Sequence, residues 1–385
     1  MIQRLGLRLA ALSVAQIVSW GVLYYATIVA APVISEETGW PLVAVTGIFS
    51  VGLVVSAIAG IAVGRALDAT GPRLLMTVGS AVGVGGFCLV ALAPNLVVFA
   101  VGWIVVGLAQ SAVLYQAAFT VIARRYGDAR RTPMTILTLA GGLASTVFAP
   151  VVAGLLTVTD WRTTFLLLAG ILAVVTIPAH WLSLERRWRH REPDSEEHNH
   201  TVSDVLRTVR FWMLELTMIA IVVSLYSVTL NAIPLFTEKG IPFELAALAL
   251  GLIGAGQVIG RLLFVVLPHG TAPWIPVAVV AGLAAVLLTA LALAPGPPWL
   301  LILIGILAGA VRGAHTLVQA SAVADRWGTR NYGSINGVFA APITIVTALT
   351  PAIGAVVAAG VDSYAVLALI MAAVALLAAG LARGS

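Results

Sequence analysis

The stretch "LAGAVRGAHTLVQ" (307–319) sets Arg312 and His315 three residues apart in an otherwise uncharged segment. On a helix, positions i and i+3 share a face. A guanidinium offers a planar fork of donors that matches a carboxylate, and an imidazole titrates near neutral pH. The pair has the chemistry to hold an anion and to handle a proton. Two adjacent cations repel, so His315 is expected to stay neutral until an anion arrives. Arginine at mid-membrane costs about 2.5–3.5 kcal/mol on insertion scales. No acidic residue shares the depth of Arg312, because the one candidate, Glu215, lies near an end of its own segment. Arg312 is therefore expected to receive an anion; the alternative is that it bonds backbone carbonyls and braces its helix. Arg261, in "GQVIGRLL", either touches the same anion or snorkels to headgroups.

Polar and aromatic residues can complete such a site. Gln16, Trp20 and Tyr24 fall on one helical face, and Ser224, Ser227 and Asn231 recur at similar spacing. Ser111 and Tyr115 stand beside Gln110. Each can instead tie neighbouring helices together, as polar groups do in membranes.

These residues sit in a chain of 385 residues that is 60% hydrophobic and 10% charged, with mean hydropathy +1.05. Soluble domains carry about 25% charged residues, so the composition is that of an all-α polytopic membrane protein. Cys88 is the sole cysteine, which excludes an intrachain disulfide. The first apolar run follows Arg4 and Arg8 and reads as a retained helix, not a cleaved leader. There is no nucleotide loop, catalytic triad or metal-ligand cluster, so neither enzyme nor primary pump is expected, and no cofactor or metal. His190, His198 and His200 read as part of a solvated loop.

A helix needs about 20 apolar residues to cross the hydrocarbon core. Twelve such runs occur, near 7–31, 42–64, 74–93, 96–122, 133–157, 162–183, 211–235, 244–267, 274–294, 298–323, 333–359 and 363–382. Most connections are short; the exception, 185–210, divides the chain into halves 1–184 and 211–385. Its last part, "TVSDVLRTVRFW", reads as a short interfacial helix capped by Thr201 or Ser203. Of the 21 Lys and Arg residues, Arg261 and Arg312 lie within spans, and Arg162 and Lys239 in outer loops. The other seventeen fall on the side of the termini. This positive-inside asymmetry puts both termini in the cytoplasm of a cell inner (plasma) membrane. It also accounts for the net charge of +5 without any nucleic acid.

The halves repeat each other. "ARRYGDARRTPMTILTLAGGLASTVFAP" (123–150) aligns without a gap on "ADRWGTRNYGSINGVFAAPITIVTALTP" (324–351), an offset of 201. "EETGWP" (36–41) lies over "TEKGIP" (237–242) at the same offset. Two parallel six-helix halves of this kind place a substrate site near the midplane and give access to it by rocking. The offset sets Arg312 over Ser111 and His315 over Leu114.

The second span ends in "GRALDATGPR", where Gly64, Asp68, Gly71 and Arg73 fill the pattern G-x-x-x-D-x-x-G-x-R. With the twelve spans and the repeat, the chain resembles the major facilitator superfamily. The resemblance implies a secondary transporter in which spans 1, 4, 7 and 10 line a central cavity. Gly64 and Gly71 permit close approach, and Asp68 with the arginines forms a breakable cytoplasmic latch; the alternative is headgroup anchoring. Within that superfamily, "FSVGLVVSAIAGIAVGRALDATGPR" after "SEETGW" resembles the monocarboxylate transporter and oxalate–formate exchanger family. That implies a small organic anion as substrate, with Arg261 on its carboxylate. Gln257 stands where the family has an Asp, and the family's substrate lysine has no counterpart. Proton symport, antiport and uniport all stay open. A drug or metabolite exporter of the same fold, or a non-transporting receptor, are the rival readings. The chain is expected to act as a monomer in the lipid bilayer.

Overall fold

The computed structural model describes residues 2–188, 200–266 and 271–385, with side chains described from residue 6 and, before the second gap, to 264. Arg189, His190, Arg191, His198 and the stretch 267–270 lie outside the described residues. Helix is the only regular structure among those described. That follows from the surroundings: in hydrocarbon every backbone donor and acceptor must be satisfied within its own segment.

Helix α1 (Ile2–Trp20) passes through one π turn (Gly21–Tyr25) into α2 (Ala26–Thr38). Then come α3 (Leu42–Thr70), α4 (Pro72–Ala91), α5 (Leu96–Val113), α6 (Tyr115–Tyr126), α7 (Arg131–Leu156) and α8 (Trp161–Ser183). After the central loop follow α9 (Val202–Leu206), α10 (Val209–Thr229), α11 (Ala232–Glu238), α12 (Phe243–Val266) and α13 (Trp274–Leu293). The chain closes with α14 (Pro298–Ala322), α15 (Ala324–Trp327), α16 (Tyr332–Val361), α17 (Tyr364–Leu381) and a final 3-10 turn (Ala382–Gly384). Eleven of the described stretches are long and apolar enough to cross a bilayer. One of them, Leu96–Leu156, has 61 residues, about 90 Å if straight, three times the hydrocarbon thickness. It turns back at Gly127 (φ 53°) and so holds two crossings, which makes twelve. The all-α, twelve-span fold is as expected. α9 begins at a capping box in which Thr201 and Asp204 satisfy each other's backbone donors.

Contacts divide the chain into two units, Met1–Asn199 with Gly328–Ala341, and His200–Trp327 with Pro342–Ser385. The division inside α16 falls at Pro342, which lacks a backbone donor.

The repeat is visible in the backbone. Gly39 and Gly240 take positive φ (72° and 82°), as do Gly127 and Gly328 (53° and 76°), and each pair is related by the offset of 201. Within the second unit, α12 and α14 meet backbone to backbone. A Cβ on Gly256 or Gly260 would strike the carbonyls of Ile306 and Ala310, and one on Gly309 or Gly313 those of Ile253 and Gln257. Small residues supply the close packing that replaces a hydrophobic driving force in lipid. In the first unit Phe87 stacks on Phe165 at 4.6 Å and Phe49 meets Trp103 edge-on at 4.9 Å.

Two helix irregularities in the first unit each have a buried glutamine beside them. α5 stops at Leu114 (φ −82°, ψ −168°), and Gln16 donates to the carbonyl of Val113 at 2.6 Å. Gln110 donates to the carbonyl of Leu23, inside the π turn, at 2.7 Å. Both glutamines thus serve backbone groups. The two basic residues of the loops read as outer also have structural partners. Arg162 donates to the carbonyl of Ala91 at 2.7 Å, and Lys239 to those of Ala292 and Ala294 at 2.8 and 3.1 Å. Ala91 and Ala292 end helices at repeat-related positions, so each cation faces the negative end of a helix dipole.

Candidate functional site

In the second unit α10 and α14 bring Arg312 onto Tyr226, with the guanidinium carbon 4.0 Å from the ring centroid. One terminal nitrogen, Nη1, makes a long contact of 3.5 Å with Thr229 Oγ1, and Nε, although buried, makes no hydrogen bond among the described residues. The ring of His315 stands edge-on to the same tyrosine at 6.4 Å. His315 is 1% exposed, and among the described residues neither of its ring nitrogens has a hydrogen-bond partner. Buried polar atoms are nearly always hydrogen-bonded. A cation with spare donors and an unsatisfied imidazole, one helical turn apart, form an arrangement suited to an anion with several acceptor oxygens. Arg312 makes no bond to a backbone carbonyl among the described residues, in contrast to Arg326, which donates to Ala322 and Pro273. Arg261, on α12, is buried.

Asn231 stands where the chain breaks between α10 and α11. Its Nδ2 donates to the carbonyls of Ser227 at 2.8 Å and Pro351 at 3.2 Å, so it ties α10 to α16. Ser224 bonds the carbonyl of Ile221 in its own helix. The end of this unit where α11 closes is clasped by Glu238, which accepts from the Ser363 hydroxyl and from the backbone N–H of Tyr364 and Ala365. Partial burial works against the ionised carboxylate, but these hydrogen bonds outweigh it and hold Glu238 below the usual glutamate range. Partial burial lowers the neighbouring Lys239 ammonium, and the charge of Glu238 opposes that shift.

In the first unit the aromatic residues converge on the π turn. Trp20 lies 5.2 Å from Tyr24 and 4.8 Å from Tyr115, and Tyr24 lies 5.4 Å from Phe49. π turns are frequent at functional sites. Tyr115 donates its hydroxyl to the carbonyl of Thr138 at 3.1 Å. Ser111 is buried and bonds the carbonyl of Leu108 in its own helix.

The residues of the G-x-x-x-D-x-x-G-x-R motif find their partners at the start of α16, on α6 and in the central loop. Asp68 accepts from the backbone N–H of Ser334 at 2.6 Å and of Gly333 at 3.3 Å, at the start of α16. Its cation is Arg124, at 3.2 Å. A Cβ on Gly64 would strike the carbonyl of Gly333, so the glycine is what allows α16 this close. Arg73 turns away to the central loop: Nε donates to the carbonyl of Leu184 at 2.8 Å, and its backbone N–H to that of Glu185. Gly71 (φ 88°) packs against Arg186 and Arg187 of the same loop. Glu185 itself pairs with Arg8 at 3.2 Å and Arg125 at 3.5 Å, and Trp188 covers Arg124 at 4.5 Å.

Sequence reasoning did not reach Tyr226, Thr229, Arg124, Glu185 or Trp188. The repeat held a signal for the first, since Tyr226 is the copy of Tyr25, next to Tyr24.

Residues 12–295 match the family model described as Major Facilitator Superfamily. Among solved structures, the E. coli fucose:proton symporter aligns over 97% of both chains with TM-score 0.72 and 15% identity. The same transporter in its outward conformation gives a TM-score of 0.73 at 15% identity, over 97% of both chains. A human organic anion transporter, MFSD10, aligns over 99% of both chains with TM-score 0.71 and 14% identity. An uncharacterised 38 kDa protein of Thermoproteus tenax is 29% identical over 148 residues, which is 38% of this chain and 39% of that protein.

Proposed function

The chain belongs to the Major Facilitator Superfamily, and from that premise we propose that it is a secondary transporter for a small organic anion, a monocarboxylate, working by alternating access. One observation carries the substrate class. Arg312 sits part-buried in a membrane helix, stacked on Tyr226, with donors to spare and with no carboxylate paired to it among the described residues. Ionisable groups at membrane depth are functional by default, and an arginine fork is the group best shaped for a carboxylate. His315 would take a second oxygen of the anion. Arg261, Tyr24, Ser111, Tyr115 and Asn231 are proposed to line or support the pathway. The halves 1–184 and 211–385 are proposed to rock, with Asp68, Gly64, Gly71, Arg73 and Arg124 holding the cytoplasmic side in one state. Both termini face the cytoplasm of the plasma membrane, and the working unit is a monomer.

The names of two fold neighbours agree in kind with this reading: one carries organic anions and the other couples its sugar to protons. The test is uptake of labelled formate, acetate, lactate, pyruvate and oxalate into proteoliposomes, with and without a pH gradient. Accumulation of any of these above protein-free vesicles, lost in Arg312→Gln, supports the proposal. Equal uptake by wild type and variant removes Arg312 from the site.

A further inference from the structure

We propose that Glu215 is a proton-binding site through which transport is coupled to protons; this rests on the transport reading above. Glu215 lies six residues into α10, roughly 9 Å from its start. It is 3% exposed, and among the described residues neither carboxylate oxygen has a hydrogen-bond partner and it enters no ion pair. Among the described residues no cation of the elements packed on α10 pairs with it. α13 carries no ionisable side chain, and α17 carries only Tyr364 at its first residue. α9 carries Asp204 and α11 carries Glu238, both acidic. α14 carries Arg312, engaged at Tyr226, and His315. Beyond it Asp325 and Arg326 lie on α15, and Arg326 is committed to Ala322, Pro273 and Ser385. Arg383 of the final turn lies over Trp274. On α10 itself the other ionisable groups are Arg210 and Tyr226.

An unpaired carboxylate is costly to bury, and a protonated carboxyl is not. Enclosed as it is here, the side chain holds a proton on one oxygen. When the inner part of this face opens to water, the O–H bond breaks, the proton passes to water and the carboxylate is hydrated. The reverse step takes a proton from water, so no other reactant is needed. The location links this event to the anion site. Glu215 and Tyr226 are eleven residues apart, about 20° from the same face and some 16 Å along the axis at 100° and 1.5 Å per residue. One stripe of α10 therefore runs from the residue beneath Arg312 to the carboxyl. His315 is less suited to carry the proton, because a second positive charge would build up beside Arg312.

The test reads the proton directly. Infrared difference spectra of purified protein in nanodiscs, titrated with pH, should show the carbonyl stretch of a protonated carboxylic acid in wild type and in Glu215→Asp. Glu215→Gln, nearly isosteric, should lack that band while eluting as the same monodisperse species. In proteoliposomes with labelled lactate, pH-driven accumulation should fall at least tenfold in Glu215→Gln, while lactate–lactate exchange stays within twofold of wild type. A spectrum without a Glu215-dependent acid band overturns the proposal, as does undiminished pH-driven accumulation in the variant. If wild type moves no lactate, the transport reading fails for that anion, and the acid band still decides the fate of Glu215.

Discussion

Replacing Arg312 tests the proposed anion site at its centre. Arg312→Lys keeps the charge but loses the planar fork and the flat guanidinium that lies 4.0 Å over Tyr226. The Nη1 contact to Thr229 is long, 3.5 Å, so little of the side chain's stability depends on protein partners. A charge-assisted hydrogen bond is worth about 1.5–3 kcal/mol, which at roughly 1.4 kcal/mol per decade weakens Kd by about ten- to 150-fold. Arg312→Gln removes the charge and should abolish binding. It also removes the cost of placing a cation in the membrane, so the variant should express at least as well as wild type. The assay is thermal stabilisation of the purified protein by whichever carboxylate wild type transports. At 100 times Kd a ligand stabilises the folded state by about 2.7 kcal/mol. At that same concentration, thirtyfold weaker binding leaves only about 0.9 kcal/mol by the same relation. A bracing role for Arg312 gives the opposite order: folded protein is lost first and the survivors bind normally. If Arg312→Gln keeps the full ligand-induced shift, the reasoning fails, and Arg261 becomes the group to examine.

Three further expectations can be checked separately. Asp68→Asn removes the charge that accepts from Gly333 and Ser334 and pairs with Arg124, so uptake should fall about tenfold or more while membrane insertion is unchanged; equal uptake and equal labelling of cysteines placed in the first turns of α16 would remove the latch. A reporter fused after Ser385 should read cytoplasmic, given seventeen basic residues on that side, and a signal from the opposite face would undo the orientation. Glu238, held below the usual glutamate range by its hydrogen bonds to the start of α17, contributes stability that is present above its unfolded pKa and lost as pH falls through the lower folded value. Wild type should therefore lose more of its melting temperature between pH 6 and pH 3 than Glu238→Gln does, and parallel curves would count against the clasp.

The large features of the fold were legible because each is written as a long pattern. Twelve apolar runs, basic residues in alternate loops and a 201-residue repeat need no tertiary information to be seen. Helix ends followed closely; the main departure is the first crossing, which runs on to Thr38 through Pro32. The partners of the key side chains were not legible. Arg124 rather than Arg73 meets Asp68 because Gly64 lets α16 approach and because Arg73 is drawn to the carbonyl end of α8. Those are facts of packing, and a motif lists the residues without saying which neighbour each will find.

The repeat shows where such information enters. Both halves carry the same periodicity, yet they break their helices at different places. α5 stops at Leu114, with Gln16 bonded to the carbonyl before the break. The position equivalent to Gln16 in the second half is Thr217, which bonds its own helix at Met213. It offers nothing to a freed carbonyl on α14, and α14 runs unbroken through His315, the copy of Leu114. That continuity keeps Arg312 and His315 on one face. In turn α10 ends at Thr229, and Asn231 serves the carbonyls of Ser227 and Pro351, whereas the equivalent Ala30 lies within the uninterrupted α2. An amide side chain thus accompanies each of these departures from the repeat, Gln16 from the neighbouring α1 and Asn231 at the break itself. In a medium without water a broken turn is tolerated where such a side chain can reach it. On this reasoning the proposed anion site falls in the second half because α14, which faces Thr217 where the first half has Gln16, stays a continuous helix.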